Sequence, residues 1–586
     1  MTEGQFICYT QIKIHKDKMD CFTSRAKMSF RNDEKNENMI KDYLRKNISR
    51  TIEQSLGLTI DPSEIGLEKP KQEGHGDWST NIALNLSKSL KENPRKLADK
   101  ITASLKLDQE LVSNVEVAGP GFINFKLASG WLYSELVTLL DKKNSFGCCD
   151  HGKGEKVQVE FVSVNPTGPL HVGHGRGAFV GDAIARLLQC VGYDVHREYY
   201  INDAGNQIDK LGRSVLARLN QIWNRPFEFP EGGYQGEYLK DFAAQLNSEQ
   251  GDRLKALSSD ELLTEVTRIS RDGMLDNLKL SLKDLKVEFD EWFSEVSLVE
   301  SGAIKNSLDQ LNQKGYLYDQ DGAQFFKASE FGDEKDRVVI KSTGEHTYFA
   351  ADIAYMQNKF QRGFQRLIYV WGADHHGDIP RMKGAAQALG HDPDSLEFIL
   401  MQMVRLIEEG REVKFSKRSG VIVTLDELRD EVGPDVMRYF FLMRRSESQF
   451  DFDLDLARKH SDENPVFYVQ YAHARICSII DHAREKGINR AKSDLALLKE
   501  KEEINLIKAL LEFPEVVLGA ALAREPHRLP TYLQDLAGVF HTFYHQHRVV
   551  TDDAGLTQAR LDLCDAARIV FANGLSLLGV SAPEKM

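Results

Sequence analysis

Four groups of residues in this 586-residue chain have types and spacing that suit chemistry. The first is His171-Val172-Gly173-His174, two imidazoles three positions apart around a glycine, where a turn gives way to a helical pattern. A helix N-terminus offers free N–H groups and partial positive charge, so it attracts phosphate. Gly173 removes a Cβ that would block a flat base or ribose, and the histidines add donors that can follow charge developing on a phosphate. The second group is Lys414-Phe415-Ser416-Lys417-Arg418, in a charged segment bounded by Gly410 and Gly420. Two lysines on a mobile loop can close over a triphosphate and neutralise charge on departing pyrophosphate; a solvated basic loop is the plain alternative. The third is Gly372-Ala373-Asp374-His375-His376-Gly377-Asp378, which follows an apolar run. It suits a ligand turn at a strand end; as a metal cluster it lacks an obvious fourth ligand set. The fourth begins with Glu160 inside Val157-Gln-Val-Glu-Phe-Val162. A carboxylate in a buried strand is costly unless paired, and its partner is either a structural arginine or a substrate. Tyr348 and Asp352 stand four apart at a predicted helix start, so both can point into one pocket. Two carboxylates and a phenol suit a guanidinium, which is planar and rich in donors.

The elements around these groups follow from apolar periodicity. Val157 to Val164 reads as a buried parallel strand, Asn165 to Pro169 as a turn, and Tyr193 to Tyr200 as the next strand. Between them Gly173 to Gly192 has helical spacing, with Phe179, Ile184, Leu187, Leu188 and Val191 on one face. This is a βαβ unit. A long insertion is expected over about 210–337, with the core resuming near Val338. Leu367 to Trp371 is a third buried strand that runs into Gly372. Ligands in open α/β sheets bind at the carboxyl ends of strands, so Gly372 to Asp378 should face the same crevice as His171. Residues 1–38 read as a flexible polar tail, or as an extension before a start at Met39. Residues 39–150 read as a small α+β domain: Ile40, Leu44, Ile48, Ile52 and Leu56 make a helical stripe ended by Gly57, and strands flank Gly119-Pro120-Gly121. Residues 151–458 read as one Rossmann-like domain that holds all four groups. Residues 459–586 read as an α-helical bundle, with helices at Pro465–Glu485, Lys499–Leu518, Leu529–Val550 and Ala559–Leu578. The fold class is therefore α/β: a Rossmann-like parallel sheet with an insertion, a small α+β N-terminal domain and an all-α C-terminal bundle.

A net charge of −13 argues against a protein that coats nucleic acid generically, but not against a local basic surface. The bundle itself carries 17 acidic and 14 basic residues from Ser461 onward, so a nucleic-acid surface on it must be a patch. There, His541-Thr-Phe-Tyr544-His545-Gln-His547-Arg548 mixes aromatic and basic groups, with Tyr544 and Arg548 expected on one helix face. His541 and His545 have metal spacing, but Thr542 stands where a His-Glu-x-x-His site has its glutamate. No apolar run has the length of a membrane span and no secretory signal is evident, so no membrane partner is expected. Seven scattered cysteines without a Cys-x-x-Cys pair suggest no disulfide framework, a reducing cytoplasm and no structural metal.

Gly173-x-Gly175-x-x-Ala178, with Glu198 downstream, also fits a loose dinucleotide pattern, although its first glycine comes late after the strand. The pairing of motifs points elsewhere. Asn165-Pro-Thr-Gly-Pro-Leu-His-Val-Gly-His174 resembles the HIGH motif of class I aminoacyl-tRNA synthetases. Lys414 to Arg418, about 240 residues later, resembles their KMSKS loop. The whole stretch looks most like the bacterial arginyl-tRNA synthetase family, and the resemblance spans nearly all of the chain after residue 38. It implies adenylation of arginine with ATP and Mg²⁺, transfer to tRNA for arginine, and a monomer without a separate editing domain. It implies catalytic roles for His171, His174, Lys414 and Lys417. ATP would be met by these histidines with Gly173, Gly372, Asp374, His375, Met403, Val404, Ser416 and Lys417. The guanidinium would be met by Glu160, Tyr348 and Asp352, and the α-amino and carboxylate end by Ser163, Asn165 and His174. Phe122 and Asn124 would touch the outer corner of the tRNA, and Tyr544 and Arg548 its anticodon. Two rivals remain at this point: a tRNA-binding paralogue without charging activity, and a dinucleotide-dependent oxidoreductase.

Overall fold

The computed structural model describes residues 37–586 apart from 71–73, 204, 414–422, 489–490 and 492. The lysine motif, with Lys414, Ser416 and Lys417, lies outside the described residues. The described residues up to Asp141, with Asp494–Glu500, form one compact unit; Lys142–Ser493 with Lys501–Met586 form a second.

In the first unit the stripe Ile40, Leu44, Ile48 and Ile52 is fully buried on helix α1 (Glu37–Leu56), and Gly57 closes it in a left-handed conformation that suits glycine. Strand β1 (Trp78–Thr80), helices α2 (Ile82–Leu90) and α3 (Pro94–Ser104), and strands β2 (Val112–Ala118) and β3 (Phe122–Leu127) follow. The strands form an antiparallel sheet in the order β1-β3-β2. Helix α4 (Ser129–Lys142) then leads out of the unit.

The second unit is built on β4 (Lys156–Glu160), α5 (Val172–Cys190) and β5 (Asp194–Ile201), the expected βαβ unit. Helices α6 (Asn206–Ile222), α7 (Glu237–Lys255) and α8 (Ser259–Asp284) pack around Leu211, Val215, Leu239 and Val266. Next comes β6 (Glu291–Ser294), which pairs parallel to β5. This strand falls inside the range read as insertion, so the core sheet is already being extended there. The physical reason is length: four residues give too little alternation to be seen in sequence. After α9 (Ala303–Gln313), strands β7 (Leu317–Gln320), β8 (Ala323–Phe326) and β9 (Arg337–Ile340) make a separate antiparallel sheet. The main sheet therefore does not resume at Val338 but with β10 (Arg366–Gly372), after α10 (Tyr348–Gln361). Helix α11 (Ile379–Leu389) and β11 (Leu396–Met401) complete a five-stranded all-parallel sheet, ordered β11-β10-β4-β5-β6. The chain departs from β4 in both directions, which puts the topological switch point between β4 and β10.

Strand β12 (Val404–Glu408) joins β13 (Arg411–Glu412) and β14 (Phe450–Asp453) in a small third sheet. Helices α12 (Leu425–Val432) and α13 (Pro434–Leu442) precede β14. The C-terminal helices are α14 (Pro465–Glu485), α15 (Lys501–Leu511), α16 (Phe513–Ala523), α17 (Arg528–Gln546) and α18 (Ala554–Leu577). The single helix expected from Lys499 to Leu518 is two, because Pro514 starts α16 at its first turn.

The cysteines also depart from expectation. Cys148 is joined to Cys190 by a disulfide, with Cα atoms 4.7 Å apart. Forty-two positions separate them in the chain, so spacing alone gives no sign of the pair. Folding brings them together because the lead-in to β4 hydrogen-bonds the end of α5: Cys149 N–H donates to Cys190 O at 3.0 Å and Gly152 N–H to Val191 O at 2.8 Å.

Candidate active site

Three adjacent strands place Tyr369, Glu160 and Glu198 side by side at the carboxyl end of the sheet. Two carboxylates on neighbouring strands repel unless something stands between them. Helix α10 supplies it. Its residues Tyr348, Asp352, Tyr355 and Lys359 recur at helical spacing and form one stripe that runs from solvent into the core. Tyr348 at the top is 65% exposed; Lys359 at the bottom is fully buried. Lys359 Nζ donates to Glu160 Oε2 at 2.6 Å and lies 4.1 and 4.0 Å from the ring centroids of Tyr355 and Tyr369. The structural partner of Glu160 is thus a lysine, where the sequence reading weighed an arginine. Glu198 is tied separately, by Tyr355 Oη at 2.5 Å and by Arg362 at 2.7 and 2.8 Å. Burial opposes its charge, but hydrogen bonds from His196, Arg362 and Tyr355, with nearby Lys359, hold the Glu198 carboxyl at about 2. A residue so enclosed cannot receive a ribose, which removes the dinucleotide reading of Glu198.

The connection from β4 to α5 is strained. Val162 and Ser163 have φ of +71° and +44°, a region that a β-branched residue such as Val162 rarely enters. Ser163 Oγ accepts from Tyr200 N–H at 3.1 Å and Val164 O accepts from Tyr199 Oη at 2.8 Å, contacts that hold the turn against its strain. Helix α5 begins after His171, its N-cap. Gly173 N–H donates to His171 Nδ1 at 3.1 Å and His171 N–H to His174 Nδ1 at 3.3 Å, so the two histidines cap the helix reciprocally. Their rings stack with centroids 3.5 Å apart. A Cβ at Gly173 would lie 2.9 Å from the His171 ring. The glycine therefore makes room first for the stacked histidine, and only through it for a ligand.

Between the two strand ends lies a cavity of about 490 Å³. Of the residues expected to hold arginine, Glu160, Ser163, Asn165, Tyr348 and Asp352 line it, and His174 does not. Gly372 and His375, expected to meet ATP, line it as well. Sequence reasoning missed Glu295 and Tyr200, which also face it. Glu295 follows β6, and its only sequence signal was a carboxylate just after Trp-Phe-Ser in a strand that was itself not recognised. Burial, and then the charge of Glu160, push the Asp352 carboxyl up to about 7. Burial and the charges of Asp352 and Asp203 push Glu295 to about 7. The cavity thus gathers carboxylates whose ionisation burial opposes, with Arg381 also in its lining.

The turn after β10 is a short 3₁₀ segment, Ala373–Asp378. His375 Nδ1 is 2.9 Å from Asp378 Oδ2, and Arg381 pairs with the same carboxylate. A Cβ at Gly372 would strike the Asp374 carboxylate. Asp374 is exposed, as is the side chain of Met403, which sits in the turn before β12; Val404 is buried. Among the described residues the close-set triad of possible metal ligands is His196, Glu198 and Glu291, not the Asp374 to Asp378 turn. Arg362 pairs with both carboxylates of that triad, so it is an ion-pair network.

The family description "tRNA synthetases class I (R), catalytic domain" matches residues 135–441, "Arginyl tRNA synthetase N terminal domain" matches 40–127, and "DALR anticodon binding domain" matches 469–586. The chain belongs to the arginyl-tRNA synthetases. It is similar to an arginine–tRNA ligase of Desulfosudis oleivorans, 51% identical over 89% of this chain and 95% of that one. It is similar to another of Listeria welshimeri, 48% identical over 94% of this chain and 99% of that one. The solved arginyl-tRNA synthetase of Thermus thermophilus shares the fold, with a TM-score of 0.73, 24% identity and coverage of 94% and 100%.

Two further regions hold the other residues expected of an arginyl-tRNA synthetase. In the first unit, Phe122 and Asn124 line a second cavity of about 490 Å³ with Lys69, His75, Ser79 and Asn81. Phe122 is 39% exposed, while Asn124 is buried with its Nδ2 3.3 Å from His75 Nδ1. In the C-terminal helices Tyr544 and Arg548 do not share a helix face. Helix α17 ends at Gln546, His547 turns to extended backbone, and Arg548 lies beyond it. The cation that meets Tyr544 is Arg475 of α14, 5.2 Å from its ring and 4.9 Å from that of Tyr471. His541 lies 6.1 Å from the Tyr471 ring in the same cluster.

Proposed function

We propose that the cavity beneath Tyr348 reads the guanidinium of L-arginine while this arginine–tRNA ligase activates arginine with ATP. Glu160 and Asp352, with Glu295 beside them, supply the acceptors. Ser163 and Asn165 at the strained turn meet the amino-acid end. The observation that carries this reading is the convergence of Glu160, Asp352 and Glu295 on one cavity at the switch point of the sheet, beside a fourth carboxylate, Asp378, that Arg381 pairs. Activation yields arginyl adenylate and pyrophosphate, and the arginine then passes to the terminal adenosine of its tRNA. The stacked His171–His174 pair at the start of α5, the Gly372 turn and the Met403–Val404 segment support an ATP position alongside. Lys414 and Lys417, with Ser416, are proposed to close over the triphosphate. Catalysis then rests on positioning and on charge stabilisation. Mg²⁺ is proposed to arrive on the triphosphate, since the close-set ligand triad of the described residues is taken up by Arg362. Domain limits at 39–150, 151–458 and 459–586 are part of the proposal; the order of the matched stretches supports them, although the catalytic match begins at residue 135, and Phe122 and Asn124 are placed on the outer corner of the tRNA and the helical bundle on its anticodon. A monomer in the cytoplasm is part of the same proposal.

Arginine-dependent ATP–pyrophosphate exchange, with and without tRNA, tests the assignment. Exchange is expected with arginine when tRNA is present, and Lys417→Ala should slow it by about 10²- to 10³-fold, the scale of losing one transition-state donor. An unchanged kcat in that variant would take Lys417 out of the chemistry.

A further inference from the structure

The stripe on α10 ends in a lysine that the arginine-binding role does not account for. Lys359 is fully buried, reaches Glu160 Oε2 at 2.6 Å, and is walled by the faces of Tyr355 and Tyr369. Glu198 on the next strand is tied by Tyr355 and Arg362, and Glu160 is the carboxylate that Lys359 directly engages. Lys359 occupies Oε2, and the same Glu160 lines the cavity.

We propose that Lys359 is a specificity-determining positioning residue: from behind the cavity lining it holds Glu160 through one oxygen and sets a like charge beyond that carboxylate that bars amino acids ending in a compact ammonium. This rests on the reading of Glu160 as a substrate acceptor. A guanidinium spreads its charge over a plane and carries five N–H donors, so it can give one to Glu160 and others to Asp352 while holding its charge away from Nζ. The ammonium of lysine or ornithine is a point charge. To reach the same oxygen it must approach Lys359 across one carboxylate, in a buried setting where like charges interact strongly. Discrimination then comes from a repulsive element as well as from fit. Burial pulls the Lys359 ammonium below its ordinary value, and Glu160 opposes that pull.

Lys359→Met tests this in arginine-dependent pyrophosphate exchange with tRNA, with L-lysine and L-ornithine as competitors and the melting temperature taken on the same preparation. Arginine kcat/KM should fall roughly thirtyfold or more, as on truncating one partner of a buried pair, with KM for ATP unchanged. The ratio of the lysine inhibition constant to the arginine KM should fall about tenfold or more. A lowered melting temperature with that ratio as in the wild type would make Lys359 scaffold only. Glu160→Gln separates the two ideas: an unchanged arginine KM there removes Glu160 as acceptor, whereas a raised KM there with an unmoved ratio in Lys359→Met removes only the role of Lys359. If Lys359→Met does not fold, Glu160→Gln/Lys359→Met leaves no buried charge unpaired. A lysine ratio in that double variant equal to that of Glu160→Gln alone would overturn the proposal, and a lower ratio supports it.

Discussion

Two buried carboxylates in the same unit are paired in opposite ways. Asp182, on α5, meets Arg438, Arg186 at 2.8 Å and Arg197 at 3.8 Å. Arg438 in turn spends its remaining donors on Leu578 O at 2.9 Å, Leu285 O at 2.9 Å and Lys286 O at 3.2 Å. Asp182 and Arg438 are both closed by protein there, and the cluster ties α5 and α13 to Leu578. Glu160 is held by one lysine at Oε2 and lines a cavity. Burial is similar, and what differs is completion. On the proposed reading, the charge kept for structure is closed by protein partners, whereas the charge kept for a ligand has one protein partner and borders a cavity.

The comparison breaks most easily at its structural end. Arg438→Met should cost about 3–5 kcal/mol of stability, since it leaves Asp182 and three carbonyls short of partners. Denaturant unfolding measures this, and arginine KM in the surviving folded enzyme should be unchanged. A shifted arginine KM would mean that the two pairs are not independent.

The ligand-facing end should answer to pH. Asp352 and Glu295, each held up to about 7, must be ionised to receive a guanidinium. Arginine kcat/KM should therefore fall as pH drops through about 7, and arginine binding near pH 7 should release protons, which calorimetry in buffers of different ionisation enthalpy detects. The sign for stability follows. Carboxyls whose folded values lie above their ordinary ones, 3.8 for Asp352 and 4.5 for Glu295, favour the folded state at low pH. That contribution is lost as pH rises toward about 7, and arginine should restore more of it at pH 8 than at pH 6. Binding without proton release would show that the carboxylates are already ionised in the free cavity.

The smallest expected effect concerns the aromatic cluster of the C-terminal helices. If Arg475 stacked on Tyr544 and Tyr471 contacts anticodon bases, Arg475→Ala should weaken tRNA binding by about 1 kcal/mol or more, read as KM for tRNA at constant kcat, and Arg548→Ala should do less. Equal losses would restore Arg548 to the contact.

What could be read beforehand follows the physics of each signal. The first βαβ unit was legible because its strand is a run of Val and Phe and its helix keeps an apolar face. The Tyr348–Asp352 pair was legible because helical spacing is rigid. Glu295 was not, because it follows a four-residue strand placed by tertiary pairing with β5. Lys359 was not, because one lysine on an apolar helix face looks like the edge of a solvated stripe until Tyr355 and Tyr369 close over it. Arg548 was misplaced because the aromatic pattern continues past the point where His547 leaves the helix.

The claim that Glu160 and Asp352 jointly read the guanidinium is tested most directly by a double-mutant cycle on arginine kcat/KM, with melting temperatures on the same proteins. Glu160→Gln and Asp352→Asn should each lose about 2–5 kcal/mol, the two losses should be non-additive, and KM for ATP should hardly change. A Glu160→Gln enzyme with a lowered melting temperature and unaltered arginine kinetics would contradict the account, leaving Glu160 as no more than the partner of Lys359.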